Sequence, residues 1–180
     1  IGQLLAMIKE AKKPVVIVGS GVKIGQAEMD VKEFLKKSKL PFAGTWSTLD
    51  LFIEDEPNFI GSFGVSSTRA GNFAVQNSDL IISLASRLDT HETGSDPSKF
   101  AINAKKVMVD IDPHEIHKDN GIYLDLAIQS DIKDFLKKIN SRSISTSDLT
   151  PWRNRIKDWR ARYPVCLPEY YDQEDKVNPY

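Results

Sequence analysis

The sequence predicts an α/β fold: a doubly wound parallel sheet covered by helices on both faces, in three layers. Unbroken apolar runs at residues 15–18 and 80–84 are typical of strands that are buried on both faces, as strands of parallel sheets are. Strand-like and helix-like segments alternate along residues 1–140, and this alternation favours right-handed crossovers between parallel strands. With 180 residues, the chain is long enough to bury one core without covalent cross-links.

The individual elements follow from two periodicities. Apolar positions recur at helical spacing in segments that predict helices over residues 1–12, 25–35, 70–77, 132–139 and 150–163. Short apolar runs predict strands over residues 15–18, 41–45, 80–84, 106–111 and 123–128. Residues 53–68 are expected to form a loop. Asp96–Pro97 and Asp112–Pro113 each predict a further helix start, because aspartate caps a helix and proline is tolerated in its first turn.

Composition and charge exclude several classes of protein. The chain is 41% apolar and 27% charged, which is typical of a soluble globular protein. Its 24 basic and 25 acidic residues give a net charge of -1, and the dispersed lysines and arginines form no surface for nucleic acid. No stretch approaches the ~20 apolar residues that cross a membrane, and no signal peptide opens the sequence. The single cysteine, Cys166, excludes an internal disulfide and predicts a cytoplasmic setting.

The composition changes near residue 140. Residues 1–140 hold the alternating strands and helices of the predicted sheet domain. Residues 141–180 predict a serine-rich linker, a last helix and a trailing connector toward a further domain. Trp152 and Trp159 in that helix are expected to pack against the protein rather than to stack on a ligand. Because the sequence begins inside a helical pattern, we expect it to be part of a longer protein.

A glycine turn after the first strand is the first candidate binding element, since ligands of open parallel sheets bind outside the carboxyl ends of strands. Gly19 and Gly21 could bring backbone N–H groups close to a phosphate, although a tight turn without a ligand explains them equally well. Gly25 stands one place too late for the usual dinucleotide fingerprint. Thr45 and Trp46 stand where an acidic residue would bind a ribose, which disfavours an ordinary nicotinamide site.

Polar residues follow the two next strands of the predicted sheet. Arg87 could bind a phosphate or carboxylate through two hydrogen bonds, with Asp89 holding it in place. The alternative is an ion pair that only braces the loop. Asp110 and Asp112 lie on the same side of a strand end, where one could accept a hydrogen bond from a ribose or an adenine. Asp112 is explained as a helix cap worth ~1 kcal/mol, so Asp110 is the better ligand candidate.

The histidines predict neither a metal site nor a catalytic centre. His114 and His117 are three residues apart on a predicted helix, but the pattern places no third ligand beside them. The Gly-x-Ser-x-Gly motif of serine hydrolases is missing. We therefore predict no catalytic residue and no metal ligand in this chain.

Four motifs occur in a recognisable order, at residues 14–21, 61–72, 74–94 and 109–113. Their order resembles that in the central domain of thiamine-diphosphate enzymes of the acetolactate synthase type. The similarity covers residues 1 to about 140, and the tail resembles the connector toward the next domain. The resemblance implies a Rossmann-like central domain.

The resemblance also implies a three-domain transferase or lyase that acts on 2-keto acids. Thiamine diphosphate and a magnesium ion would lie between the first and third domains of paired subunits. Those domains would be the partners of this one, in a homodimer or homotetramer. The chain lacks the Gly-Asp-Gly motif that binds metal and diphosphate in the family, so the resemblance implies that this domain alone is inactive.

Central domains of this type differ in what they bind. They hold FAD in acetolactate synthases and pyruvate oxidases, ADP in oxalyl-CoA decarboxylases, and nothing in several decarboxylases. By position, the resemblance implies contacts of Gly19, Ser20, Gly21 and Val22 with the diphosphate, of Arg87, Asp89 and His91 with the flavin chain, and of Asp110, Ile111 and Asp131 with the adenosine.

Two departures from the family pattern leave alternatives open. Val65, Ser66 and Ser67 replace the last three residues of a Gly-Met-His-Gly loop, and His91 replaces an arginine with a mostly neutral imidazole. One alternative is a ligand-free scaffold domain of a related decarboxylase or carboligase. Another is a free-standing NAD-dependent enzyme of the sirtuin type, which the single cysteine disfavours because it excludes a four-cysteine zinc module.

Overall fold

The computed structural model describes residues 1–53 and 55–170, which contain a six-stranded parallel sheet. Its strands are β1 (Pro14–Val18), β2 (Phe42–Gly44), β3 (Phe59–Ser62), β4 (Leu80–Leu84), β5 (Lys105–Asp110) and β6 (Leu126–Gln129). They lie in the order β3-β2-β1-β4-β5-β6, and each neighbouring pair is parallel. The chain therefore winds outward in both directions from β1 and β4, which confirms the predicted doubly wound sheet.

Helices cover both faces of this sheet. The helices are α1 (Gly2–Glu10), α2 (Gly21–Ile24), α3 (Glu28–Ser38), α4 (Arg69–Gln76), α5 (Thr90–Thr93), α6 (Pro113–Ile116), α7 (Ile132–Asn140) and α8 (Thr150–Arg162), with 3-10 helices at Trp46–Leu51, Pro97–Lys99 and Pro168–Tyr170. Apolar residues of α1, α3 and α7 form one core with alternate strand residues, and those of α4, α6 and α8 form a second core on the opposite face. These two cores confirm the three-layer architecture. None of the helices in the described residues has the length and apolar character needed to cross a membrane.

The largest error in the predicted elements is β3, which lies within residues 53–68 and was expected to be loop. Phe59 pairs with Phe42 of β2, and the two rings lie 5.3 Å apart. Phe52 completes this cluster, with its ring 4.8 Å from that of Phe42. The strand is only four residues long and contains Gly61, so its local pattern is weak, and burial against β2 decides its structure.

Smaller differences concern where helices and strands begin. The helix expected from Gly25 is divided in two, because Gly25 ends α2 through its N–H bond to Gly21 and α3 starts at Glu28. The helix expected after Asp96 is a single 3-10 turn, Pro97–Lys99. The last strand begins at Leu126 rather than at residue 123. Such shifts arise because tertiary contacts set the ends of short elements.

The last described helix, α8, packs against the sheet domain. Trp152 is 4% exposed, donates its indole N–H to the carbonyl oxygen of Pro14 at 3.1 Å, and meets Trp159 edge to face. This arrangement confirms that these tryptophans pack within the protein. Part of the expected trailing connector, residues 171–180, lies outside the described residues.

Two arginines of α8 extend the contact to the neighbouring strands. Arg153 donates to the carbonyl oxygen of Lys39 at 2.7 Å, and Arg160 donates to that of Phe59 at 3.0 Å. With the indole bond to Pro14, α8 thus reaches backbone oxygens at the amino ends of β1, β2 and β3. The bond to Phe59 also covers part of an edge strand, where backbone groups would otherwise lack partners.

Candidate functional site

The carboxyl ends of β1, β4, β5 and β6 lie side by side along one edge of the sheet. Backbone N–H to oxygen bonds link them in the order Gly19 to Leu84 (2.9 Å), Ala85 to Val109 (2.8 Å) and Ser130 to Asp110 (2.9 Å). We call this edge the carboxyl rim and define it as residues 19–22, 86–92, 110–112 and 130–131. All the site residues predicted from the sequence therefore lie along one rim, although most of them have structural partners there.

The glycine turn of the carboxyl rim is held by its own backbone. The N–H groups of Gly19, Gly21 and Val22 donate to the carbonyl oxygens of Leu84, Ala85 and Gly19, at 2.9–3.1 Å. Within this turn, Ser20 is exposed, whereas Gly19 and Val22 are buried. Three of the N–H groups that a phosphate cradle would use, those of Gly19, Gly21 and Val22, thus already have acceptors within the protein.

Close packing explains why these positions are glycines. A methyl group at Gly19 would overlap the carbonyl oxygen of Ala85 and lie 2.5 Å from the Cα of Ser86. A methyl group at Gly21 would lie 2.6 Å from the Cβ of Ala85. The turn after β1 therefore lies directly against the end of β4, and the missing side chains bring two strand ends together.

We expect Gly19→Ala to lower the free energy of unfolding by about 1–3 kcal/mol, because the added methyl group must displace backbone of the neighbouring strand end. Gly2→Ala is the matched control, since a methyl group there has no atom within 4 Å. Urea denaturation of both variants measures the difference. Equal stabilities would show that the β1 turn has more room than the structure indicates.

Arg87, Asp89 and His91 follow β4 and were expected to act together. The Nε atom of Arg87 lies 3.6 Å from a carboxylate oxygen of Glu115, so Arg87 pairs with α6 and not with Asp89. Asp89 instead caps α5, where it accepts from the N–H groups of His91 and Glu92 at 2.9 and 3.3 Å. The expected pairing of Arg87 with Asp89 is therefore wrong, because the helix N-terminus takes the carboxylate.

The two basic side chains of this loop are exposed. The side chains of Arg87 and His91 are 71% and 79% exposed, respectively. The carbonyl oxygen of Arg87 accepts a hydrogen bond from the ammonium of Lys118, which also pairs with Glu115 at 2.8 Å. Lys118 thus holds the backbone of the loop in place, while the side chains of Arg87 and His91 remain accessible to an anion.

Glu92 is a functional candidate to which sequence reasoning assigned no role. Its carboxylate is largely buried and accepts a 2.5 Å hydrogen bond from the hydroxyl of Ser86. Burial raises the pKa of Glu92 to about 7, the Ser86 hydrogen bond opposes this rise, and the Asp89 charge adds to it. No local pattern reveals this group, because its burial depends on how α5 packs against the loop after β3.

The aspartates after β5 and β6 have different tasks. Asp112 caps α6 by accepting from His114 N–H at 2.8 Å, which confirms the predicted cap. Asp110 is 8% exposed, and one of its oxygens accepts from Asp112 N–H at 2.9 Å. Asp131 caps α7. The second carboxylate oxygen of Asp110 is thus available to accept a hydrogen bond from a ligand. The neighbouring Ile111 is 64% exposed.

The carboxyl rim offers no donor set for a metal ion. No group of three or more His, Cys, Asp or Glu side chains suited to a metal occurs among residues 1–53 and 55–170. The acids of the rim instead cap helices, as Asp89, Asp112 and Asp131 do. A magnesium ion and a thiamine diphosphate bound through it therefore do not fit these residues.

Comparison with known proteins places the fold and the rim in a family. Residues 1–139 match the family model described as thiamine pyrophosphate enzyme, central domain. The chain belongs to this family. The family resemblance drawn from the four motifs is therefore confirmed, and the carboxyl rim is the strand-end edge of a thiamine pyrophosphate enzyme central domain.

Three proteins that are similar to this chain are all named acetolactate synthase. The chain is 35% identical over 168 residues to the acetolactate synthase large subunit of Cyanidium caldarium, which covers 90% of this chain and 28% of that protein. It is 32% identical over 167 residues to the acetolactate synthase isozyme 2 large subunit of Escherichia coli. That match covers 91% of this chain and 30% of that protein. It is 31% identical over 175 residues to chloroplastic acetolactate synthase 1 of Nicotiana tabacum, a match that covers 94% of this chain and 26% of that protein. This central domain therefore spans under a third of each relative, and further domains are implied.

Proposed function

We propose that this chain is the central domain of a thiamine-diphosphate-dependent enzyme of the acetolactate synthase type that acts on 2-keto acids. The family match and the names of the relatives support this proposal. The transferase or lyase chemistry, thiamine diphosphate and magnesium would belong to other domains, and this domain alone would be inactive. We further propose a sheet domain over residues 1–140, a connector over residues 141–180, and a cytoplasmic homodimer or homotetramer.

We also propose that the carboxyl rim binds the adenosine diphosphate part of FAD, or ADP itself. The observation that carries this proposal is the placement of adjacent strand ends along one edge, with Arg87 and His91 exposed there. These two side chains would meet the phosphates beside the close-packed residues 19–22. The free carboxylate oxygen of Asp110 would accept a ribose or adenine hydrogen bond, and the exposed Ile111 would pack against the base.

A ligand-free scaffold is the second candidate, and a specific observation favours it. The backbone N–H groups of Gly19, Gly21 and Val22 already donate to protein oxygens. Asp89 and Asp131 already cap helices. In this alternative the glycines serve only to pack β1 against β4, and the domain positions its neighbours in the longer protein.

Titration of the chain with FAD, followed by flavin fluorescence, and with ADP, followed by the thermal shift of unfolding, tests the two candidates. We expect Arg87→Ala to weaken FAD binding roughly three- to tenfold, a modest loss because the side chain is largely exposed and solvent screens its charge. Arg142→Ala is the control, since Arg142 is exposed and follows α7 at the opposite edge of the sheet. Absence of FAD and ADP binding to the unmodified chain would leave the scaffold candidate.

A further inference from the structure

A cavity of about 320 Å³ lies far from the carboxyl rim, at the amino end of β5. It opens between the segment that precedes β5 and the segment that precedes β6. Its principal lining residues are Phe100, Ile102, Lys106, Ile122, Tyr123 and Asp125. The volume is at the lower end of the about 300–1,000 Å³ typical of small-molecule sites, so a ligand here would be small.

A buried ammonium group forms the polar part of this cavity. Lys106 is 8% exposed, and its Nζ donates to the carbonyl oxygens of Ala101 and Ala104, each at 3.0 Å. An ammonium has three N–H donors, so one donor of Lys106 has no protein acceptor among residues 1–53 and 55–170. Burial lowers the pKa of Lys106, and the nearby charge of Asp125 partly opposes this effect. An additional acceptor would therefore stabilise the charged amine.

The remaining walls of the cavity combine apolar side chains with polar surface, which includes Ser98 and Asp125. Phe100 is 1% exposed, whereas Ile102 and Tyr123 at the opening are 69% and 78% exposed. Asp125 is the acid that lines the cavity, and its Oδ2 accepts from the backbone N–H of Lys106 at 2.8 Å. A cationic donor beside the apolar side chains of Ile102 and Tyr123 suits a molecule with one acidic group and an apolar part.

We propose that this cavity is a binding site for a small organic monocarboxylate. One carboxylate oxygen accepts the third N–H of Lys106, and the apolar body packs against Ile102 and Tyr123. Inorganic phosphate does not fit this site, because Lys106 offers it only one N–H donor and its further charged oxygens would lie near the carboxylate of Asp125. The site is separate from the carboxyl rim and does not depend on what the rim binds.

Benzoate is a suitable probe, and benzamide is its uncharged counterpart of the same shape. We expect benzoate to shift the backbone amide signals of Ile102, Lys106 and Gly121 in 1H–15N NMR spectra of the chain, with a Kd of about 1 mM, which is ordinary for a small, weakly held ligand. Signals of Gly19 and Arg87 should not move. Equal shifts with benzamide, or no saturable shifts with benzoate, would overturn the proposal.

Three variants test the role of the charge. Lys106→Met should reduce benzoate affinity more than tenfold, whereas Lys105→Met, at the exposed neighbouring position, should not change it. Asp125→Asn keeps an acceptor for the Lys106 N–H and removes a negative charge, so benzoate affinity should rise roughly two- to fivefold. This variant decides the question even if Lys106→Met does not fold. Unchanged or weaker binding to Asp125→Asn would contradict a carboxylate site.

Discussion

Replacement of Trp152 by alanine is expected to lower the free energy of unfolding by about 3–5 kcal/mol. The indole is 4% exposed in the second core, so its removal leaves a cavity between α8 and the sheet. It also removes the N–H donor to the Pro14 carbonyl oxygen and the edge-to-face contact with Trp159, whose ring centre is 5.7 Å away. An unsatisfied buried acceptor adds to the cost of the cavity.

Urea denaturation followed by far-ultraviolet circular dichroism measures this loss without relying on tryptophan fluorescence. Trp46→Ala is the matched control, because the same side chain is 72% exposed there and its removal should change stability by less than about 0.5 kcal/mol. Similar losses for the two variants would show that α8 does not contribute to the core in the way the structure indicates.

Glu92→Gln is expected to raise the free energy of unfolding by about 3 kcal/mol above pH 7 and to have little effect near pH 4. The pKa of Glu92 is about 7 in the folded chain, against an ordinary value of 4.5. The folded state therefore keeps a proton that the unfolded state releases between these two values. The stability that this proton provides is complete below pH 4.5 and is lost as the pH rises through 7. Glutamine stays neutral and still accepts the Ser86 hydrogen bond.

Unfolding curves measured between pH 4 and pH 8.5 test this expectation. The unmodified chain should lose stability relative to Glu92→Gln as the pH rises, with most of the difference appearing between pH 4.5 and pH 7. Glu10→Gln, at an exposed position of α1, provides the control for a change of charge alone. Parallel pH profiles for the unmodified chain and Glu92→Gln would contradict a buried carboxyl group at this position.

The sheet was largely predictable because its central strands are buried on both faces. The runs at residues 15–18 and 80–84 contain almost only apolar residues, and residues 107–109 of the next strand are all apolar, a signal that neighbouring sequence does not obscure. The edge strand β3 was missed, because a short strand containing a glycine has a weak local pattern and depends on β2 for its structure. Helix caps were predictable where they are local, as at Asp112.

The details of the carboxyl rim depend on residues that are distant in sequence. The pairing of Arg87 with Glu115 and the packing of Gly19 against Ala85 both join separate strand ends, and no spacing rule contains them. The buried carboxylate of Glu92 is similarly decided by tertiary packing. Sequence reasoning therefore located the rim and its local helix cap at Asp112, but could not assign the partners that are distant in sequence.

The bonds from α8 to the amino ends of three strands affect how domains of this kind could be recombined between relatives. A graft cut at residue 140 would separate Trp152, Arg153 and Arg160 from the carbonyl oxygens they reach. The foreign helix would then have to supply equivalent donors at matching positions, or leave polar groups without partners. We expect functional hybrids to arise more often when the junction is placed after Arg162, so that the sheet and its supporting helix are inherited together.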